Sequence, residues 1–175
     1  MGIKGYQADA LLKNYNYTPA EMTVICESLK RMGAIAGREI FVAFATSAPD
    51  RQVAHFVQYY AEMLADYITT VETGDIVDLS ESAWLVSRSG TLIGAFPIDY
   101  LAWTAGVSES IDFSPDQMTG LGIKRKELLI RGQVSPQARA GLQAQGWKIT
   151  ENVSLAVIKD EANNEEKSPA SPAAS

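Results

Sequence analysis

Residues 47–71 read SAPDRQVAHFVQYYAEMLADYITTV, and this stretch decides the fold. Ser47 supplies a hydroxyl cap and Asp50 an acid for a first helical turn. From there Val53, Phe56, Val57, Tyr60, Met63, Leu64, Tyr67, Ile68 and Val71 recur at helical spacing over about seven turns. The spacing predicts one long amphipathic helix ending before Gly74, with Phe56 and Tyr67 buried in the main core. So wide an apolar face needs another layer of structure to cover it.

Upstream, Thr18-Pro19-Ala20-Glu21 carries the marks of a helix start: a hydroxyl at the cap, proline in the first turn and a glutamate placed for a capping box. Met22, Ile25, Cys26, Leu29 and Met32 then form one apolar face, with Glu27, Lys30 and Arg31 turned outward and Gly33 or Gly37 as the stop. A shorter first helix is expected over residues 6–15, with Ala8, Leu11 and Leu12 on one face. Ile40-Phe41-Val42-Ala43-Phe44-Ala45 is a continuous apolar run whose length and Phe and Val content lean toward a buried strand, with a helical reading left open.

Downstream the period changes. Trp84-Leu85-Val86-Ser87-Arg88 and Thr91-Leu92-Ile93-Gly94-Ala95-Phe96 flank Ser89-Gly90, which predicts a β-hairpin. Pro97 stops that ladder, and residues 98–103 are expected to form a short helix. Residues 127–131 read as a strand, Ser135-Pro136 caps a short helix carrying Ala138 and Leu142, and Gly146 ends it before a strand at Trp147-Lys148-Ile149. A last strand is expected over residues 154–158. The fold class is therefore α+β. N-terminal amphipathic helices (residues 5–73) pack on a small mixed sheet made of the hairpin and a C-terminal β-α-β unit (residues 75–158). Residues 1–158 form one domain on this reading, and residues 159–175, rich in Pro, Ala and Ser, are a tail or linker.

The chain has 175 residues, 46% of them apolar, which suffices for a sizeable core. Fifteen basic residues against twenty-one acidic ones give a net charge of −6, so no grip on nucleic acid through the overall field is expected. The single cysteine rules out an internal disulfide, and with one histidine beside it a structural metal site of the usual donors is not expected, nor is a cofactor. No stretch approaches the roughly 18 apolar residues of a membrane span, so a cytoplasmic location is the default expectation.

His55 is the first candidate for a general base, but helical spacing puts it with Arg51, Gln52 and Gln58, away from the apolar face, which is the place of a solvated histidine. Cys26 is expected to be buried and inert on its helix's apolar face. Asp75, Asp78, Glu81, Asp99, Glu109, Asp112 and Asp116 fall in a region whose one opposing charge is Arg88. Asp75, Asp78, Asp99 and Asp112 are the acids that would serve a carboxylate-based site. Gly120-Leu121-Gly122-Ile123-Lys124-Arg125-Lys126 joins loop glycines to three consecutive cations, so Lys124, Arg125 and Lys126, with Arg88, are the candidates for binding an anion or docking a partner.

Charge distribution says more than any motif. Residues 62–116 hold ten acids and one base, whereas residues 117–148 hold six bases and one acid. Folding either pairs these segments internally or leaves them as complementary docking surfaces, and Tyr59, lateral to the main helix face, is the aromatic placed to meet a partner. Without a catalytic constellation, the leading expectation is a non-catalytic accessory or adaptor protein whose partner is another protein or a second copy of itself. The rival is a small enzyme or binding protein that holds an anionic small molecule with the clustered carboxylates and the basic loop.

Overall fold

The computed structural model describes residue 3, residues 5–70 and residues 74–154. Val71, all but Ser154 of the last strand expected over residues 154–158, and the expected tail at residues 159–175 lie outside the described residues.

Four helices come first: α1 (Gly5–Leu12), α2 (Pro19–Arg31), α3 (Arg38–Thr46) and α4 (Arg51–Thr70). Helix α2 starts with the expected capping box, Thr18 and Glu21 each bonding the other's backbone. Helix α4 is capped by Asp50, whose carboxylate accepts from the Val53 N–H at 2.9 Å, while Ser47 instead closes α3. Both residues are capping types, and the carboxylate sits one helical turn before the donor that needs it.

The run at residues 40–45 is helical, which corrects the strand reading. As a helix it places Phe41, Val42 and Ala45 inward and leaves Ala43 exposed, and it packs between α1 and the first two strands. An apolar run without polar interruption fits a helix covered on two sides as well as it fits a buried strand, so neighbours decided it. Gly37, at φ +81°, makes this packing possible, because a Cβ there would lie 1.9 Å from the Ile76 carbonyl oxygen. Gly37→Ala is therefore expected to cost about 2 kcal/mol or more in urea unfolding. A loss inside about 0.5 kcal/mol would contradict that contact.

The sheet follows: β1 (Gly74–Leu79), β2 (Ser82–Ser87), β3 (Thr91–Phe96), β5 (Arg125–Ile130) and β7 (Trp147–Thr150) lie side by side in that order. Strands β1, β2 and β3 are antiparallel neighbours, and β3, β5 and β7 are parallel. The hairpin and the C-terminal β-α-β unit are as expected, the structure making the unit's strands parallel, while β1 is an addition. It is joined to β2 through Ser80 and Glu81, both at positive φ, a backbone state that tight hairpins need but that these residue types do not advertise. Residues 98–103 are not a helix. Instead β4 (Tyr100–Leu101) pairs with β6 (Gln133–Val134) as a small parallel ladder, held by Gly132 and Gln133 N–H groups donating to Ile98 and Asp99 carbonyls. Three short helices complete the described chain: α5 (Ala105–Ser110), α6 (Pro115–Gly120) and α7 (Pro136–Ala144).

Side-chain alternation divides the sheet cleanly. Ile76, Ala83, Leu85, Ile93, Ala95 and Leu129 face the N-terminal helices, whereas Leu79, Trp84, Leu92, Leu128, Ile130 and Trp147 face a second core built with Ile111, Phe113, Ala138 and Leu142. The sheet is thus covered on both sides, as parallel strands require. Helix α4 is buried nearly all round its middle: Gln58, expected outside, is 9% exposed and donates to the buried Glu62 carboxylate at 2.6 Å. Phe56 and Tyr67, expected to be buried, are half-buried. Cys26 is exposed, another correction, since Ile25, Ser28, Leu29 and Met32 take the inner face of α2 and leave Cys26 about 100° round the helix from Ile25.

Candidate functional site

Strand direction sets out the charges. The starts of β1, β3, β5 and β7 and the end of β2 share one end of the sheet, and the ends of β1, β3, β5 and β7 share the other. The first end carries the basic run. Gly90, at φ +77°, closes the β2–β3 turn and turns its carbonyl toward the next strand, where it accepts the Lys124 N–H at 2.8 Å and the Arg125 N–H at 3.2 Å. The Arg125 guanidinium adds a bond to the Ser89 hydroxyl at 3.2 Å. Backbone and side chain together strap the cationic run to the hairpin.

Lys124, Arg125, Lys126 and Lys148 converge with Thr91 and Gly146 on a cleft of about 380 Å³. Lys126 is half-buried with its ammonium 5.1 Å from the centre of the Trp147 ring. Burial draws its pKa below the ordinary lysine value, against the opposing pull of Asp112. Lys148 is held by Glu127 at 2.9 Å, and that carboxylate also accepts from the Thr150 hydroxyl at 3.2 Å. Arg88 stands at the same end of the sheet but in a different cleft, with Arg31 and Asp75.

The acids do not converge on one site. Asp75 lines the same cleft as Arg88, Asp112 acts on Lys126, and Asp99 sits past the far end of β3, its backbone carbonyl held by Gln133. Asp78 joins Glu39 and Glu81 around an open cleft of about 460 Å³ at the far end of β1 and β2. Among the described residues no three His, Cys, Asp or Glu side chains are placed to hold a metal ion. The far end of the sheet is the acidic one: Asp78, Glu81 and Asp99 are exposed there, and none of them enters an ion pair among the described residues. The same holds for Arg88, Lys124 and Arg125 at the basic end. The ion pairs that involve these two segments join Arg31 to Asp66, Arg139 to Glu151 and Lys148 to Glu127, so among the described residues no ion pair joins the acidic segment to the basic one. The separation is imperfect, with Asp75 and the exposed Asp112 at the basic end and Arg131 near the acidic one.

Sequence reasoning passed over one polar cluster. The Glu21 carboxylate is buried and accepts five bonds: from the Thr18 N–H and hydroxyl at 2.7 Å each, from Arg51 at 2.9 and 3.1 Å, and from His55 Nδ1 at 3.2 Å. Burial pushes its pKa up, but the hydrogen bonds from Thr18, His55 and Arg51 outweigh burial and hold it at about 2. His55 is outward-facing as expected, yet its ring is not free: Tyr59 meets it edge-on at 4.7 Å, and Arg131 lies 5.2 Å over the Tyr59 ring. Arg51 and His55 are four residues apart on α4, and Glu21 is the third residue of α2, so the signal was a helix-surface pair facing a capping glutamate. With its acceptor sites filled, the Glu21 carboxylate staples α2 to α4.

No helix among the described residues is long and apolar enough to cross a membrane. Comparison with protein-family models, with curated proteins and with solved structures finds no match for this chain.

Proposed function

We propose that this protein is a non-catalytic adaptor whose docking faces are the two oppositely charged ends of its central sheet. The observation that supports this reading is the segregation itself. Arg88, Lys124 and Arg125 stand exposed and outside any ion pair at one end, and Asp78, Glu81 and Asp99 do the same at the other, among the described residues. Charges left exposed and uncompensated contribute little to folding but steer association and select a complementary surface. The partner is another protein or a second copy of this chain, the acidic end of one molecule being complementary to the basic end of the next.

The test is charge reversal at each end. Lys124→Glu with Arg125→Glu, and separately Asp78→Lys with Glu81→Lys, are expected to leave thermal unfolding nearly unchanged and to weaken association with a captured partner or with a second copy by about tenfold or more. The wild-type complex should weaken as salt is raised, and the variants should respond less. Identical partner sets and identical sedimentation for wild type and both variants would overturn the proposal.

A second reading is favoured by the shape of the basic cleft, where four cations and the one carboxylate of Glu127 line a concave space. There the protein would bind a small anion, and titration calorimetry with inorganic phosphate measures it directly: no heat at millimolar phosphate removes this reading and leaves the first untouched.

A further inference from the structure

The two edges of the five-stranded sheet are finished differently. At the β1 edge, the Ile76 N–H donates outward to the Ala36 carbonyl at 2.9 Å and Gly37 lies against the Ile76 carbonyl, so the loop between α2 and α3 covers the strand. At the other edge stands β7, and among the described residues no backbone hydrogen bond reaches it from its outer side. An uncovered edge strand presents a row of N–H and C=O groups ready to pair with another extended chain. Strand β7 spans four residues, or about 13 Å at the rise of a β-strand.

The flanking chemistry narrows what such a chain would be. On one face the Lys148 side chain, held by Glu127 at 2.9 Å, is still 72% exposed, and on the other Lys126 of β5 is stretched over Trp147. A strand laid along β7 would set its side chains beside Lys148 on one face and, on the other, beside Trp147, over which Lys126 reaches. Carboxylates complement the two lysines, whereas a second β7 would bring its own Lys148 against the first, a like-charge contact that blunts self-pairing.

We propose that the outer edge of β7 receives an extended acidic segment of a partner protein, which adds a strand to the sheet and sets its carboxylates against Lys148 and Lys126. This rests on the reading of the basic end as a docking surface and names the partner's chemistry and mode of attachment.

The experiment uses the whole chain and three probes: a peptide of about eight residues alternating threonine and glutamate, its threonine-lysine counterpart, and inorganic phosphate. The acidic peptide is expected to bind and to protect the backbone amides of residues 147–150 from hydrogen exchange. Lys148→Gln should weaken that binding by about tenfold or more, Lys148→Glu by more still, both compared at a temperature where circular dichroism shows the variants folded, and the lysine peptide should not bind. Absence of binding by the acidic peptide, or equal binding by both peptides, overturns the inference. Binding without amide protection in β7, or full displacement by phosphate, also overturns it. Neither of these last outcomes touches the adaptor reading, which is judged by charge reversal at the two ends.

Discussion

Replacing Phe41 by alanine is expected to lower the free energy of unfolding by about 3–5 kcal/mol in urea titration. The side chain is fully buried on α3, its ring lying 5.9 Å from that of Tyr60 in a stacked arrangement and 6.2 Å from that of Phe44. It stands where α3 and α4 meet the helix-facing side of the sheet, a position with no route to water. Removal leaves a cavity in a close-packed layer as well as losing the transfer energy of the ring. Phe56→Ala should cost less, about 1–3 kcal/mol, because Phe56 is half-buried although it too meets Tyr60 at 5.9 Å and Phe96 at 6.2 Å. A loss below about 1 kcal/mol for Phe41 would mean that α3 does not pack as described.

Glu21→Ala should destabilise by about 2–3 kcal/mol near neutral pH, since it removes a cap and leaves Arg51 and His55 facing the gap. The partners are about half exposed, which keeps the figure below that for breaking a fully buried pair. The effect also has a pH signature. Glu21 is held at about 2 in the folded chain against 4.5 for the unperturbed group, so the folded state binds fewer protons in between. Its stabilisation is complete above pH 4.5 and is lost as pH falls from there toward 2. Unfolding curves for wild type and variant should therefore converge as pH drops through that window. Curves that stay a constant distance apart would show that the carboxylate is not held by these bonds.

Half of the architecture was legible because its signals are local. The box at Thr18 and Glu21, the Ser135 cap before Pro136 and the hairpin around Gly90 each satisfy backbone groups within a few residues, so residue type and spacing specify them. Helix α6 carried the same kind of signal, Ser114-Pro115 with Gln117 in a capping box, and was passed over because six residues hold too few apolar positions to show a period. The candidate site was legible only as composition. Lys124, Arg125 and Lys126 are adjacent in the chain, but Lys148 reaches their cleft only because β5 and β7 pair in parallel with Glu127 opposite Lys148.

The sequence by itself determined the class of the fold, the long helix, the caps that start α2 and α7, and the linear separation of acidic from basic residues. These follow from periodicity, local hydrogen bonding and counting of charges, which act over one or two turns or along the chain. Tertiary structure alone decided that residues 40–45 coil rather than extend, that Tyr100 and Leu101 pair with Gln133 and Val134, and that Cys26 faces water while Gln58 is buried. It also decided which carboxylates meet cations and which stand apart. Each of these depends on what arrives from more than thirty residues away, or, for Cys26 and Gln58, on which sides of a helix find a neighbour, and an apolar run or a lone side chain carries no record of that.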